Sequence, residues 1–176
     1  MHKTRLWKES GNLLAARIAT PAAIALGCAV LFGQGPALAT PNVGFASSMI
    51  GPTTFGDIDI KLHTDSLKIK MQTQGFSDVY VVTNTVAVGG HSGWHTHSGP
   101  SLVSVKSGTA TYYEGDDPKC TPHVILQGEG FVDSGDGHVH LIRNEGAEVL
   151  ELVAFQMIPE GAVRRIDAPR PGNCPF

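Results

Sequence analysis

The chain has 176 residues, of which 41% are hydrophobic, and 13 Lys and Arg against 16 Asp and Glu give a formal net charge of −3. A single domain is the natural expectation at this length, and a charge so small and mixed excludes a nucleic-acid surface built on a basic field. The 21 glycines and the scarcity of helical periodicity favour short strands joined by turns.

Residues 1–39 read as a secretory signal peptide. Lys3, Arg5, Lys8 and Arg17 make a basic start, and residues 18–32 are mostly apolar. That run is short for a membrane span, which needs about 20 such residues. Ala37-Leu38-Ala39 is an A-x-A cleavage site. The competing reading is an uncleaved N-terminal anchor. Cys28 lacks the leucine three places earlier that a lipidated cysteine would have. The expected location is secreted or periplasmic, with no membrane contact in the mature form. Cleavage would leave Cys120 and Cys174 in an oxidising compartment, where a pair is expected to form a disulfide. It would pin the C-terminal tail, 169–176, to the loop 115–122; two free thiols are the alternative.

Residues 40–54, rich in Pro, Gly, Ser and Thr, read as a linker or N-terminal arm. Residues 55–62 and 67–71 alternate apolar and polar, as half-buried strands do. Residues 79–88 are β-branched and suit a central strand, which Gly89-Gly90 is expected to end. Further strands are expected at 102–105, 109–113, 123–126, 131–132 and 138–143. The apolar run 147–158 has a helix-permissive composition. Its alternation and valines favour a strand. About ten strands without a βαβ signal imply an all-β sandwich or barrel.

The chemistry concentrates in two segments. His95 and His97 stand two residues apart, so on a strand they share one face, roughly 7 Å apart. Two imidazoles so placed can tilt onto one metal ion, with a third ligand from another strand. Gly137-His138-Val139-His140 supplies a second H-x-H.

Together these segments resemble the cupin family. Gly89, His95, His97 and Gly108 fall at the spacings of its first motif, and Gly137, His140 and Asn144 match its second. Three positions depart: Ser101 stands where the first motif has glutamate, Gly135 where the second has proline, and the second motif's leading glycine is out of register. The likeness covers roughly residues 55–167 and implies a double-stranded β-helix, or jelly roll, a shape cupins share, with the barrel at 55–168. It implies metal ligation by His95, His97 and His140, with Ser101 and His138 as possible additional site residues. His138 is a ligand, an outer donor or a mouth residue on this reading. The cofactor implied is a divalent transition metal: Fe, Zn, Cu, Ni or Mn.

Losing the glutamate leaves three neutral imidazoles and the full charge of the ion, which favours an anionic or chelating ligand. Glu114, Asp133, Asp136 and Glu151 are within sequence range to replace that carboxylate, and the sequence does not choose among them. Trp94 alternates against His95 and should face away from the metal. Only one of Tyr112 and Tyr113 should face inward. His63 and His123 read as ordinary strand histidines, His91 as a loop residue, and Arg164-Arg165 as a surface pair. Catalytic residues are not assigned. The functions that remain are a dioxygenase-like oxidoreductase acting on a small molecule, a non-catalytic metal or small-molecule binder, and a barrel with a decayed site. A homodimer is implied by resemblance alone.

Overall fold

A computed structural model describes residues 38–176; the expected signal peptide, Leu38 and Ala39 apart, lies outside them. Among the described residues there are twelve strands. The first four are β1 (Val43–Phe55), β2 (Asp59–His63), β3 (Lys68–Gln72) and β4 (Ser77–His91). β5 (His95–Thr96), β6 (Ser101–Ser107), β7 (Thr109–Glu114) and β8 (His123–Leu126) follow. β9 (Gly130–Asp133), β10 (His140–Arg143), β11 (Leu150–Pro159) and β12 (Ile166–Asp167) complete the set. No described helix is long and apolar enough to cross a membrane.

Antiparallel pairing builds two facing sheets, β1-β4-β11-β6-β9 and β8-β7-β10-β5-β12, joined where Arg143 of β10 meets His91 of β4. The all-β jelly-roll expectation is met. The run at 147–158 is strand β11, and its burial alternates without a break from Leu150 to Ile158. That alternation sends Leu150, Leu152 and Ala154 inward against Val82, Val86, Val103, Val105, Ile125 and Ile142. A second apolar cluster lies behind the other sheet, where Trp94, Tyr113 and Leu141 pack under Ala168 and Cys174. Tyr112 belongs to the first cluster and Tyr113 to the second, so adjacent tyrosines serve opposite faces.

Three expectations change. Residues 40–54, expected as a linker or N-terminal arm, carry most of strand β1, which pairs with β4 from Val43↔His91 to Phe55↔Ser77. Its pattern is hidden in the sequence because glycine and proline interrupt it at two register shifts, one beside Gly44 and one at Gly51-Pro52. Gly89-Gly90 does not end β4. It bulges the strand opposite Gly44, and a Cβ at Gly90 would sit 2.7 Å from the Val43 carbonyl. Finally, β2 and β3 form a hairpin sheet of their own, outside the barrel ladder.

The expected disulfide is present. Cys120 and Cys174 are joined with their Cα atoms 5.2 Å apart and a sequence separation of 54. Asp117 shapes the loop that carries Cys120. Its carboxylate accepts from the Lys119 and Thr121 amides, and those bonds lower its pKa to about 2. Asn173 ties the tail down by donating to the carbonyls of Glu114 and Asp117.

Candidate metal centre

His95 on β5 and His140 on β10 are direct cross-strand partners. His97 follows β5 and returns to the same side of the chain as His95. The three ring centroids are 4.3, 4.9 and 5.4 Å apart. One nitrogen from each ring lies within 4.8 Å of the others. Nitrogens bound to a common ion at about 2.0–2.1 Å can be at most about 4.2 Å apart, so a small closure suffices.

The backbone sets the tautomers. His95 Nδ1 lies 2.9 Å from the Gly93 carbonyl, His97 Nδ1 2.7 Å from the Arg164 carbonyl, and His140 Nδ1 3.3 Å from the His138 carbonyl. A carbonyl only accepts, so each Nδ1 carries the proton and donates. Each neutral ring is left with a lone pair on Nε2, the usual arrangement of a metal-binding histidine with an oriented outer shell. Burial holds the rings neutral: it lowers His97 and His140 to about 4 and takes His95 well below the usual imidazole range.

These rings line a cavity at one end of the barrel, about 50 Å³ as traced by water centres. That is room for a few waters or one small molecule. Ser101 faces it and is buried, its hydroxyl accepting from Gln156 Nε2 at 3.0 Å. Arg164 donates from Nη1 to Gln156 Oε1 at 3.3 Å and also faces the cavity. Arg165 donates to the Ser92 carbonyl and pairs with Asp167 at 2.7 Å. The expectation of a surface arginine pair is therefore corrected: both side chains are partly buried and line the cavity. The β12 pairing to β5 pulls that segment over the site.

Of the four candidate carboxylates, Asp133 alone lines this cavity. It is buried at the end of β9. Its Oδ1 accepts from the Gly135 amide at 3.0 Å, and its Oδ2 has no hydrogen-bond partner. Glu151 faces outward to Lys106, Asp136 is exposed, and Glu114 clusters with Asp116 and His138 outside the cavity. Sequence reading ended the strand at Val132 and so missed that Asp133 completes its inward alternation.

His138 does not join the three rings. It precedes β10, is half-buried, and lies beside His140 and Asp133, with one ligand atom of each within 4.8 Å of the others. Its ring centroid is 6.3 Å from that of His140, and its Nδ1 is 3.4 Å from the Tyr112 hydroxyl. Tyr112 stacks on His140 at 5.4 Å. Burial and the nearby Asp133 charge push its pKa up, keeping the phenol protonated. Trp94 is buried away from the cavity, as its alternation with His95 requires. His91 ends β4, while His63 and His123 are exposed strand residues. Asn144, buried, holds the turn after β10 by donating to the carbonyls of Val86 and Glu148.

The two H-x-H segments thus meet on one inner face of a jelly roll, at the paired strands β5 and β10. The barrel is cupin-like. No family model and no curated protein matches the chain. Among solved structures, it is similar to a conserved protein with a double-stranded β-helix domain from Klebsiella pneumoniae. The identity is 21%, covering 68% of this chain and 90% of that one, with a TM-score of 0.44. A cupin 2 conserved barrel domain protein from Leptotrichia buccalis is 14% identical over 64% of this chain and 40% of that one, with a TM-score of 0.42. A predicted oxalate decarboxylase from Thermotoga maritima is 19% identical over 48% of this chain and 83% of that one, with a TM-score of 0.38. The site here can hold a metal ion on His95, His97 and His140.

Proposed function

We propose that this is an exported cupin-like protein that binds a divalent transition metal through His95, His97 and His140 and admits a small anionic molecule beside it. The carrying observation is the tautomer pattern: three buried rings each give their Nδ1 proton to a backbone carbonyl, which leaves Nε2 free on each, and one nitrogen from each ring lies within 4.8 Å of the others. An all-imidazole set suits Fe, Zn, Cu, Ni and, less strongly, Mn. A bound ion of this kind supplies Lewis acidity and, if redox-active, oxygen chemistry. The chain's own residues orient the ligand. Arg164 presents a guanidinium to the cavity, and Ser101 and Gln156 offer hydroxyl and amide groups next to it. An iron-loaded protein is then a dioxygenase-like oxidoreductase on a small molecule; a zinc-loaded one is a binding module.

Elemental analysis of the mature protein, wild type beside His95→Ala and His140→Ala, tests this reading. About one metal per chain in the wild type and loss in both variants supports it. Equal metal in all three removes the site. Oxygen consumption by iron-loaded protein then separates turnover from binding. The disulfide and the signal-like residues 1–39 support export, which N-terminal sequencing of exported protein checks; an intact Met1 would refute cleavage after Ala39.

The reading includes a homodimer. Register partners Ile50, Val81, Phe155, Leu102 and Val132 run as one file across the outer face of β1-β4-β11-β6-β9, and all five are exposed. The β2–β3 hairpin exposes a second apolar face, Ile60 opposite Met71 and Leu62 opposite Ile69. An isolated two-stranded hairpin is marginal in water, and a second copy of the chain carries apolar faces suited to cover it.

A further inference from the structure

The Ser101 departure removes a carboxylate from the place where the family resemblance expects one. The ladder shows what stands next to that place. Ser101 on β6 and Asp133 on β9 are direct register partners. Directly opposed residues in an antiparallel pair project to the same face with Cβ atoms about 4.5–5.5 Å apart. Both are buried and both line the cavity.

Asp133 is in an arrangement that a bound cation would satisfy. Its Oδ2, which lacks a hydrogen-bond partner, lies 3.6 Å from His97 Nε2. His97 carries its proton on Nδ1, where the Arg164 carbonyl accepts it at 2.7 Å. Two lone-pair atoms therefore face each other in a buried place. Moving the proton to Nε2 would only transfer the conflict to Nδ1 and the carbonyl. The other carboxylate oxygen lies 3.7 Å from His140 Nδ1, so the group touches two of the three rings. A buried carboxylate oxygen without a partner is costly. The backbone around it is built for the position. Gly135, at φ 68°, packs against the backbone of Gly99, and the Asp136 amide donates to the His97 carbonyl at 2.9 Å.

We propose that Asp133 is the carboxylate ligand of the three-histidine centre, supplied from the strand beside the one that carries the vacated position at Ser101. This rests on the metal reading given above and deepens it. The centre becomes three imidazoles and one carboxylate, so a divalent ion keeps one unit of positive charge rather than two. With Arg164 in the same cavity, the space still selects an anion, but a singly charged or monodentate one rather than a strong chelator.

The test is metal affinity, measured by competition with a chromophoric chelator for Zn²⁺ and by the visible absorption of Co²⁺-loaded protein. Wild type, Asp133→Asn, Asp133→Ala, His95→Ala and the double variant S101E/D133N are compared, each first checked for folding by circular dichroism. Asp133→Asn is expected to weaken Zn²⁺ binding by about 100-fold or more, beyond the about 10–100-fold typical of outer-shell partners, and to change the Co²⁺ bands. Asp133→Ala serves if the isosteric variant does not fold. Adding Glu at position 101 should recover at least tenfold of the lost affinity. Wild-type affinity and an unchanged Co²⁺ spectrum in Asp133→Asn would overturn the proposal while leaving the three-histidine site standing. Failure of the added glutamate to recover affinity would overturn the claim that Asp133 stands in for that position. Full binding by His95→Ala would instead sink the metal reading itself.

Discussion

His95 and His140 lie 45 residues apart in sequence yet directly oppose each other across β5 and β10, with ring centroids 4.3 Å apart. This pairing decides the chemistry, because two half-motifs become one site only when their strands are adjacent and in register.

Metal should stabilise the fold. At a free ion concentration 100 times Kd, one site adds about 2.7 kcal/mol, so the melting temperature of chelator-treated protein should rise on adding metal back. His97→Ala should melt at the same temperature with and without the ion. A metal-induced rise in that variant equal to the wild type's would place the ion elsewhere.

The metal-free protein should lose stability as pH falls from about 6.5 to about 4. An unfolded chain's imidazoles take up protons near 6.5, whereas burial holds His97 and His140 at about 4 in the fold. Over that window the unfolded state binds more protons, so stability rises with pH and is complete above the window. The total is on the order of a few kcal/mol. Urea titrations at pH 4.5 and pH 7.5 read it; equal midpoints would mean that the rings are not buried as described.

Arg164→Gln should weaken binding of a small carboxylate or other anion about 10–100-fold, the loss of one charge-assisted hydrogen bond of roughly 1.5–3 kcal/mol. Metal content should stay at the wild-type level. Isothermal titration of metal-loaded protein measures both, and unchanged anion affinity would remove Arg164 from the ligand's contacts.

Reduction of Cys120–Cys174, or Cys174→Ser, should cost about 4 kcal/mol, the chain-entropy scale for a loop of this length. The loosened tail uncovers Trp94, Tyr113 and Leu141. Tryptophan emission should therefore shift red in the reduced protein before global unfolding. Coincident loss of both signals would make the tail part of one cooperative unit.

Leu102→Lys should convert a dimer to a monomer without changing metal content. The side chain points outward within the exposed apolar file, between Phe155 and Val132, on the opposite face from Ser101 and Val103. Light scattering across a concentration series reads the mass. A wild type that is monomeric at every concentration rules the dimer out.

Much of the site was legible because its determinants are local. The H-x-H spacing needs only strand alternation, and the breaks at Gly108 and Gly137 mark where those segments turn. The outward facing of Trp94, and the opposite facing of Tyr112 and Tyr113, follow from the same rule, which does not say which tyrosine is inward. Where local rules misled, a long-range contact had replaced them. β1 looks like a linker because its glycines and proline serve register shifts against β4. Arg164-Arg165 looks like a surface pair because two adjacent charges ordinarily are; β12 folds them over the cavity.

By itself the sequence determined the class of fold, the imidazole pairs and the missing glutamate, since each is written in the spacing of neighbouring residues. Tertiary structure alone decided which carboxylate faces the rings, which arginine enters the cavity and which nitrogen of each histidine is free. Those depend on cross-strand register and on carbonyls many residues distant, and no periodicity along a single strand encodes either.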